Sequence, residues 1–252
     1  MPFGLKNVGA TYQRLMDRMF REQIGKTMEV YVDDIIVKSD SIEQHVNDLA
    51  EIFQQIRKYN MCLNPEKCVF GVERGKFLGF MLTSRGIEAN PDKCRALKTM
   101  RSPDNLKEVQ QLVGKLISFS RFMPRLADKI RPILKLMKKA ERFSWNESCE
   151  EAFQTVKRIL AQPPILSKPV QGTPLLVYLV VSLEVVSVAI VQGKTEHKPI
   201  YFVSRVLQDV ETRYQVIEKV ALALVHASRR LRLYFQSHEI IVRTDFPINK
   251  IL

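Results

Sequence analysis

The stretch Met28-Glu29-Val30-Tyr31-Val32-Asp33-Asp34-Ile35-Ile36-Val37 places two adjacent carboxylates between two apolar runs. Such runs favour β-strands, and aspartate tolerates the backbone conformations that a two-residue connection requires. The pattern predicts a hairpin with Asp33 and Asp34 at its tip. Adjacent carboxylates repel each other, so both stay ionised when a cation neutralises them. Mg²⁺ suits this position because it prefers oxygen ligands, although Asp-Asp taken alone is more typical of an ordinary turn.

Composition describes a globular chain with a strong positive charge. The 252 residues include 39 Lys+Arg and 27 Asp+Glu, a formal net charge of +12, and 46% are hydrophobic. These values exclude general disorder, predict two domains, and suit nucleic acid or an anionic membrane surface as partner. The four cysteines fit neither a zinc site nor a disulfide scaffold, and no secretory leader is visible. We therefore expect a cytoplasmic or nuclear protein that is not secreted. The longest apolar stretch, Leu175–Val191, is too short and too interrupted by polar residues to span a bilayer, so no membrane is expected as a partner.

Apolar periodicity predicts helices over 11–26 and 41–59, followed by short strands over 68–88. Residues 92–160 are predicted to be helical and basic, with 16 Lys/Arg against 8 Asp/Glu. Ser102 and Asn146 are predicted helix starts, and one helix face is formed by Leu106, Val109, Leu112, Val113, Leu116 and Ile117. A proline-rich segment then precedes a β-β-β-α-β order, which is typical of an α/β unit. Its predicted strands are 175–182, 185–192, 198–204 and 239–244, with a long helix over 212–233. The predicted division of the chain is 1–91, 92–160, a linker at 161–174, and 175–252.

Several short segments occur together in a characteristic order. They are Met1–Asn7, Thr11–Gln13, Tyr31–Asp34, Leu63–Cys68, Phe77–Phe80 and Phe143–Trp145. This set resembles the reverse transcriptase of gypsy-type LTR retrotransposons, most like plant elements, over nearly the whole chain. The resemblance implies an α+β fold: a partial reverse-transcriptase palm, a helical thumb, and an incomplete RNase H-like α/β domain.

The resemblance also implies roles for individual residues. Asp33 and Asp34 correspond to the catalytic, metal-binding YxDD box, which uses Mg²⁺ or Mn²⁺ for two-metal nucleotidyl transfer. The implied partners are an RNA/DNA template–primer and deoxynucleoside triphosphates. The residues implied in nucleotide binding are Phe3, Gly4 and Tyr31, and those in primer binding are Phe77, Leu78, Gly79 and Phe80.

The basic helices resemble the thumb, which contacts template–primer through phosphates. Its candidate contacts are Lys107, Lys115, Arg121, Arg125, Lys138 and Lys139. The last part of the chain resembles an RNase H-like domain in which Glu218 and Asp245 match metal-binding acids. Val180 stands where that family has a further metal-binding Asp, and valine cannot bind Mg²⁺. RNase H cleavage is therefore not expected.

The family's first catalytic carboxylate lies upstream of the motif at Met1, so the chain is expected to be truncated at both ends. For the isolated chain we expect little or no polymerase activity. Two alternatives stay open: a non-enzymatic, basic nucleic-acid-binding remnant, and a remnant that does not fold stably. The sequence also leaves open whether the remainder of a Pol polyprotein accompanies it.

Overall fold

The computed structural model describes residues 4, 6–137, 143–193 and 195–246. The chain separates into two compact units, residues 1–84 and residues 85–252. None of the described helices is both long enough and apolar enough to cross a bilayer.

The first unit combines two helices with two β-hairpins. Its elements are α1 (Val8–Met19), β1 (Met28–Tyr31), β2 (Asp34–Val37), α2 (Ile42–Lys58), β3 (Gly75–Phe77) and β4 (Phe80–Thr83). Strands β1 and β2 pair antiparallel, as do β3 and β4. The helices cover the first hairpin, because their apolar faces bury Met16 and Met19 of α1 with Ile52 and Ile56 of α2 in one core.

Helix α1 begins and ends earlier than the predicted range of 11–26. The Phe20 N–H donates to the Met16 carbonyl (3.0 Å) and closes the helix. The Gln23 carbonyl then accepts the N–H groups of residues 26–28, and Gly25 takes a positive φ of 82°. Glycine adopts that conformation without steric cost, so the chain turns into β1 where the periodicity predicts more helix.

The second unit begins with a strand and a series of helices. These are β5 (Gly86–Ala89), α3 (Pro91–Lys98), α4 (Leu106–Ser118), α5 (Leu126–Lys129), α6 (Arg131–Lys135) and α7 (Glu147–Ala161). Asparagine side chains cap α3, α4 and α7 by accepting backbone N–H groups at their first turns. The predicted start of α7 at Asn146 is confirmed.

Helix α4 starts after Asn105, and the predicted start at Ser102 is wrong. The Ser102 hydroxyl is engaged elsewhere, since it donates to Glu150 Oε2 (2.6 Å). The helix buries Val109, Leu112, Val113 and Leu116, as its spacing predicts. Leu106 and Ile117, which the sequence places on the same face, are 41% and 59% exposed.

The second unit ends in a four-stranded sheet with a helical cover. Its elements are β6 (Leu175–Val181), β7 (Val185–Gln192), β8 (Lys198–Val206), α8 (Val216–Arg230), α9 (Arg232–Ser237) and β9 (Ile240–Arg243). The strand order is β8-β7-β6-β9, and β9 pairs parallel to β6 while the other pairs are antiparallel. The long helix predicted over 212–233 is divided at Leu231, which is buried with φ −115°.

The proline-rich segment between α7 and β6 is tied to the rest of its unit. The Ile87 N–H donates to the Leu166 carbonyl (2.8 Å), and the Leu166 N–H donates to the Ile87 carbonyl (2.9 Å). These two hydrogen bonds form the Ile87–Leu166 clasp. The buried Gln192 amide accepts from the Val170 N–H (2.7 Å) and donates to the Thr173 carbonyl (2.8 Å). These bonds satisfy backbone groups that an apolar neighbour would leave unpaired.

Glu150 of α7 joins three neighbours, which makes the stability of this region sensitive to acid. Its carboxylate accepts from Gln154 Nε2 (2.7 Å), the Ser102 hydroxyl (2.6 Å) and Trp145 Nε1 (2.8 Å). Hydrogen bonds from Gln154, then Ser102 and Trp145, hold the Glu150 pKa below its ordinary value. A lowered folded-state pKa gives stability above the unfolded pKa of about 4.3, and this stability is lost as pH falls through the folded value.

We therefore expect Glu150→Gln to lower the free energy of unfolding by about 1 kcal/mol at pH 7. The difference from wild type should shrink as pH falls below about 4, because both side chains are then neutral. Urea denaturation between pH 7 and pH 3 measures it, with Glu147→Gln, exposed on the same helical turn, as control. A difference that stays constant with pH would show that the carboxylate charge is not what stabilises this contact.

Candidate active site

The acidic pair lies at the end of the β1–β2 hairpin, shifted by one residue from the prediction. Tyr31 pairs with Asp34, so the two turn residues are Val32 and Asp33, and Asp34 is the first residue of β2. The sequence predicts both acids in the turn, and the structure keeps only Asp33 there. Val32 occupies the first turn position, with a positive φ of 49°. Both acids are exposed.

Gln13 of α1 holds this turn through its side-chain amide. Its Oε1 accepts from the Val32 N–H (2.6 Å), and its Nε2 donates to the Val30 carbonyl (3.4 Å) and to Asp17 Oδ1 (2.8 Å). From the sequence, Gln13 is only a member of the Thr11–Gln13 segment. No local signal reveals it, because its backbone partners lie 17 and 19 residues further along the chain.

The charge of Asp33 acts on Tyr12 of α1. Burial raises the pKa of the Tyr12 hydroxyl, and the negative charge of Asp33 raises it further. Tyr12 is therefore a neutral, half-buried neighbour of this carboxylate. Among the described residues, neither Asp33 nor Asp34 engages its carboxylate in a hydrogen bond or an ion pair.

These two carboxylates fit part of a divalent-metal site. Within the described ranges no cluster of three or more His, Cys, Asp or Glu side chains could hold a metal ion. Two adjacent, exposed carboxylates nevertheless match the chemistry of Mg²⁺, which is commonly bound by one or two protein carboxylates, with water and substrate phosphate completing the shell.

The residues predicted to bind nucleotide are only partly described. Phe3 lies outside the described residues. Gly4 is exposed with a positive φ of 88°, and a side chain there would meet nothing within 4 Å. Tyr31 is 57% exposed at the end of β1, directly opposite Asp34. The structure therefore brings Tyr31 to the acidic pair and leaves open space around Gly4.

The second hairpin, predicted to hold primer, lies beside the first. A Cβ atom at Gly75 of β3 would lie 2.9 Å from Ile36 Cδ1 of β2, so the two strands approach closely. Phe77 pairs with Phe80 across a two-residue turn in which Leu78 and Gly79 both have positive φ, 51° and 75°. This is the type I′ geometry that fits the twist of a hairpin.

The two acids predicted for the RNase H-like domain, Glu218 and Asp245, lie at a helix start and after a strand end. Glu218 Oε2 accepts from the Gln215 N–H (2.7 Å) and completes a capping box at the start of α8. Asp245 is exposed, two residues after the end of β9. Tyr178 of β6 pairs with Arg243 of β9, so Val180 and Asp245 each lie two residues beyond this pair along neighbouring parallel segments. Val180 is 45% exposed.

Some of the basic residues predicted to contact template–primer have exposed side chains, and others interact with neighbouring side chains of the protein. Lys107 and Lys115 lie on the exposed face of α4. The Arg121 guanidinium lies over the Tyr201 ring, 5.2 Å from its centroid, and Arg125 forms an ion pair with Asp128. Lys138 and Lys139 lie outside the described residues.

Two family models match the chain. Residues 1–82 match the model described as "Reverse transcriptase (RNA-dependent DNA polymerase)". Residues 145–242 match the model described as "RNase H-like domain found in reverse transcriptase". Together these matches show a reverse transcriptase domain and an RNase H-like domain in this chain, as the sequence motifs predict.

Curated relatives are polyproteins of transposons. The retrovirus-related Pol polyprotein from transposon 297 of Drosophila melanogaster is 32% identical over 97% of this chain and 23% of the polyprotein. That from transposon gypsy of the same species is 31% identical over 97% of this chain and 25% of the polyprotein. The chain spans about a quarter of the length of these relatives. Its homologues are thus retrovirus-related Pol polyproteins of gypsy-like transposons, and its matched residues carry the reverse transcriptase and RNase H-like domains.

Solved structures share the fold. The foamy viral protease-reverse transcriptase in complex with RNA/DNA hybrid has a TM-score of 0.85 and 22% identity, covering 96% of this chain and 33% of that chain. The same enzyme in complex with dsDNA has a TM-score of 0.83 and 22% identity, covering 100% and 53%. The predicted α+β class, with reverse transcriptase and RNase H-like parts, is confirmed.

Proposed function

We propose that Asp33 and Asp34 hold Mg²⁺ or Mn²⁺ for RNA-directed DNA polymerisation, with a template–primer and deoxynucleoside triphosphates as substrates. The observation that carries this proposal is the exposed acidic turn, fixed to α1 by Gln13, within the segment that matches the reverse transcriptase model. When bound, such a cation supplies activation of the attacking hydroxyl and neutralisation of phosphate charge.

The other residues of the first unit would position the reactants. Tyr31 presents an exposed ring next to Asp34, where it can pack against a terminal base or sugar. Gly4 allows backbone to approach a nucleotide closely, because no side chain intervenes. The turn at Leu78–Gly79, flanked by Phe77 and Phe80, lies on the hairpin beside β2 and would hold the primer end.

Primer extension tests this function directly. The assay uses a Pol protein that contains this chain, a template–primer and Mg²⁺, with Asp33→Asn as the variant. Extension that requires both Mg²⁺ and Asp33 supports the proposal. Extension that is unaffected by the variant would overturn it.

We further propose that the helices of 92–160 contact the phosphates of template–primer. Helix α4 supports this role, because Lys107 and Lys115 lie on its exposed face. The single acid of this helix, Glu108, is engaged at its start, where its carboxylate accepts from the Asp104 N–H (3.0 Å) and Asn105 Nδ2 (2.8 Å). An exposed cationic face of this kind binds duplexes without regard to sequence.

Replacing both lysines should weaken duplex binding in a salt-dependent way. For Lys107→Gln combined with Lys115→Gln, we expect the slope of log K against log salt to become shallower by about 2, because each phosphate contact contributes about 0.9. Fluorescence anisotropy with an RNA/DNA hybrid between 50 and 200 mM salt measures it. The exposed Lys168→Gln is the single-charge control. An unchanged slope in the double variant would exclude α4 as a contact.

A non-enzymatic nucleic-acid-binding role is the second candidate function. It is favoured by the net charge of +12 and by the lack of a three-residue metal cluster within the described ranges. It predicts duplex binding without Mg²⁺-dependent extension. For the RNase H-like domain we propose a non-cleaving role, supported by Val180 on β6 and by the use of Glu218 as a helix cap.

A further inference from the structure

Val32 has a backbone conformation that its side chain disfavours. Its φ is +49°, in the left-handed region that glycine and asparagine adopt readily. Valine is branched at Cβ, and positive φ brings Cβ close to the following carbonyl oxygen, so this is a costly position for it. Such conformations persist only when surrounding contacts over-determine them, and they concentrate at functional sites.

The contact that fixes Val32 comes from Gln13. The Val32 N–H donates to Gln13 Oε1 (2.6 Å), and Gln13 Nε2 donates to the Val30 carbonyl (3.4 Å). One amide thus holds the backbone on both sides of Tyr31. Asp17 Oδ1 accepts from the same Nε2 (2.8 Å), which fixes the amide with its oxygen toward Val32.

We propose that Gln13 is a positioning residue that keeps Val32 in the left-handed conformation and thereby sets the direction of the Asp33 carboxylate. This inference rests on the proposed function, since it gives Asp33 and Asp34 a cation to bind. Without Gln13, the turn relaxes toward negative φ at Val32, and the carboxylate of the next residue is displaced. Partners that orient metal ligands in this way typically account for 10–100-fold in metal affinity.

The first experiment is independent of any metal. Hydrogen exchange of the Val32 amide, followed by NMR, is expected to accelerate at least tenfold in Gln13→Leu, because its acceptor is gone. Gln54→Leu is the matched control, since Gln54 is exposed on α2. Gln13→Glu is a second variant that keeps an acceptor for Val32 but loses the donor to Val30. Unchanged exchange in Gln13→Leu would overturn the proposal.

The second experiment asks whether glycine at position 32 removes the need for Gln13. Mn²⁺ is titrated as the probe, and paramagnetic broadening of the turn amides gives its affinity. We expect Gln13→Leu to weaken Mn²⁺ binding about tenfold, and Val32→Gly in that background to recover most of the loss, since glycine accepts positive φ freely. A merely structural Gln13 would show no recovery, and that result would contradict the proposal.

The two arms separate failure of this inference from failure of the proposed function. If the wild-type chain binds no Mn²⁺ at the turn, the metal site as proposed is wrong, and with it the role in aiming Asp33. The amide exchange of Val32 would still report whether Gln13 holds the turn. If Mn²⁺ binds equally well in wild type and in Gln13→Leu, the metal site stands and the positioning role falls.

Discussion

Asp33→Asn is expected to lower the rate of primer extension by a Pol protein containing this chain about 10³-fold. The amide keeps the size of the carboxylate but removes its charge, so it can no longer balance a divalent cation against phosphate. Losses of 10²–10³-fold are typical when a single electrostatic contribution to a transition state is removed. Single-turnover extension with saturating deoxynucleoside triphosphate and Mg²⁺ isolates this step from substrate binding.

The control for Asp33→Asn is Asp40→Asn, because Asp40 is an exposed aspartate three residues beyond β2 in the same unit. It should extend primers at the wild-type rate. Duplex binding should be unchanged in both variants, since the phosphate contacts proposed above involve basic side chains. A rate for Asp33→Asn within tenfold of wild type would remove this residue from the proposed metal site.

Gly86→Ala is expected to destabilise the second unit by about 3 kcal/mol. Gly86 has a φ of +139°, and an added Cβ would lie 2.2 Å from the Leu166 carbonyl oxygen. That oxygen accepts the Ile87 N–H (2.8 Å), so relieving the clash means opening the Ile87–Leu166 clasp. Leu166 is only 2% exposed, and its side chain would also lose burial.

Gly114→Ala is the matched control for Gly86→Ala. Gly114 lies inside α4, and a Cβ atom there would meet nothing within 4 Å. Alanine at an open helical position should raise stability by about 0.5–1 kcal/mol. Urea denaturation of both variants measures the contrast. A loss below about 1 kcal/mol for Gly86→Ala would mean that the clasp contributes little to folding.

Local sequence patterns correctly predict those helices and strands whose bounds are set by residues within the pattern itself. The valine-rich apolar run predicts β7 over 185–192, and the strand spans Val185–Gln192. The asparagine before α7 predicts its start correctly, because capping needs only residues within one turn. The start of α4 is misplaced because a distant group engages Ser102, which bonds to Glu150, 48 residues further along the chain. The end of α1 is misplaced for a local reason, since the turn around Gln23 and Gly25 follows apolar spacing that fits a longer helix.

The candidate site shows the same division. The acidic pair and its flanking strands can be read from a ten-residue stretch, and the structure places them in a hairpin. The exact turn residues and the part played by Gln13 cannot be read there, because they depend on a helix that the chain forms before the hairpin. Glu218 is similar, since its spacing from Gln215 fits a helix cap as well as it fits a metal ligand.

The pairing of Ile87 with Leu166 gives the helical region the topology of an inserted module. The chain leaves the body of its unit just after residue 87 and returns beside the same point at residue 166. All helices from α3 to α7 lie within that excursion. Because the exit and the return are adjacent, a change in the length of these helices need not move residues 87 and 166 apart.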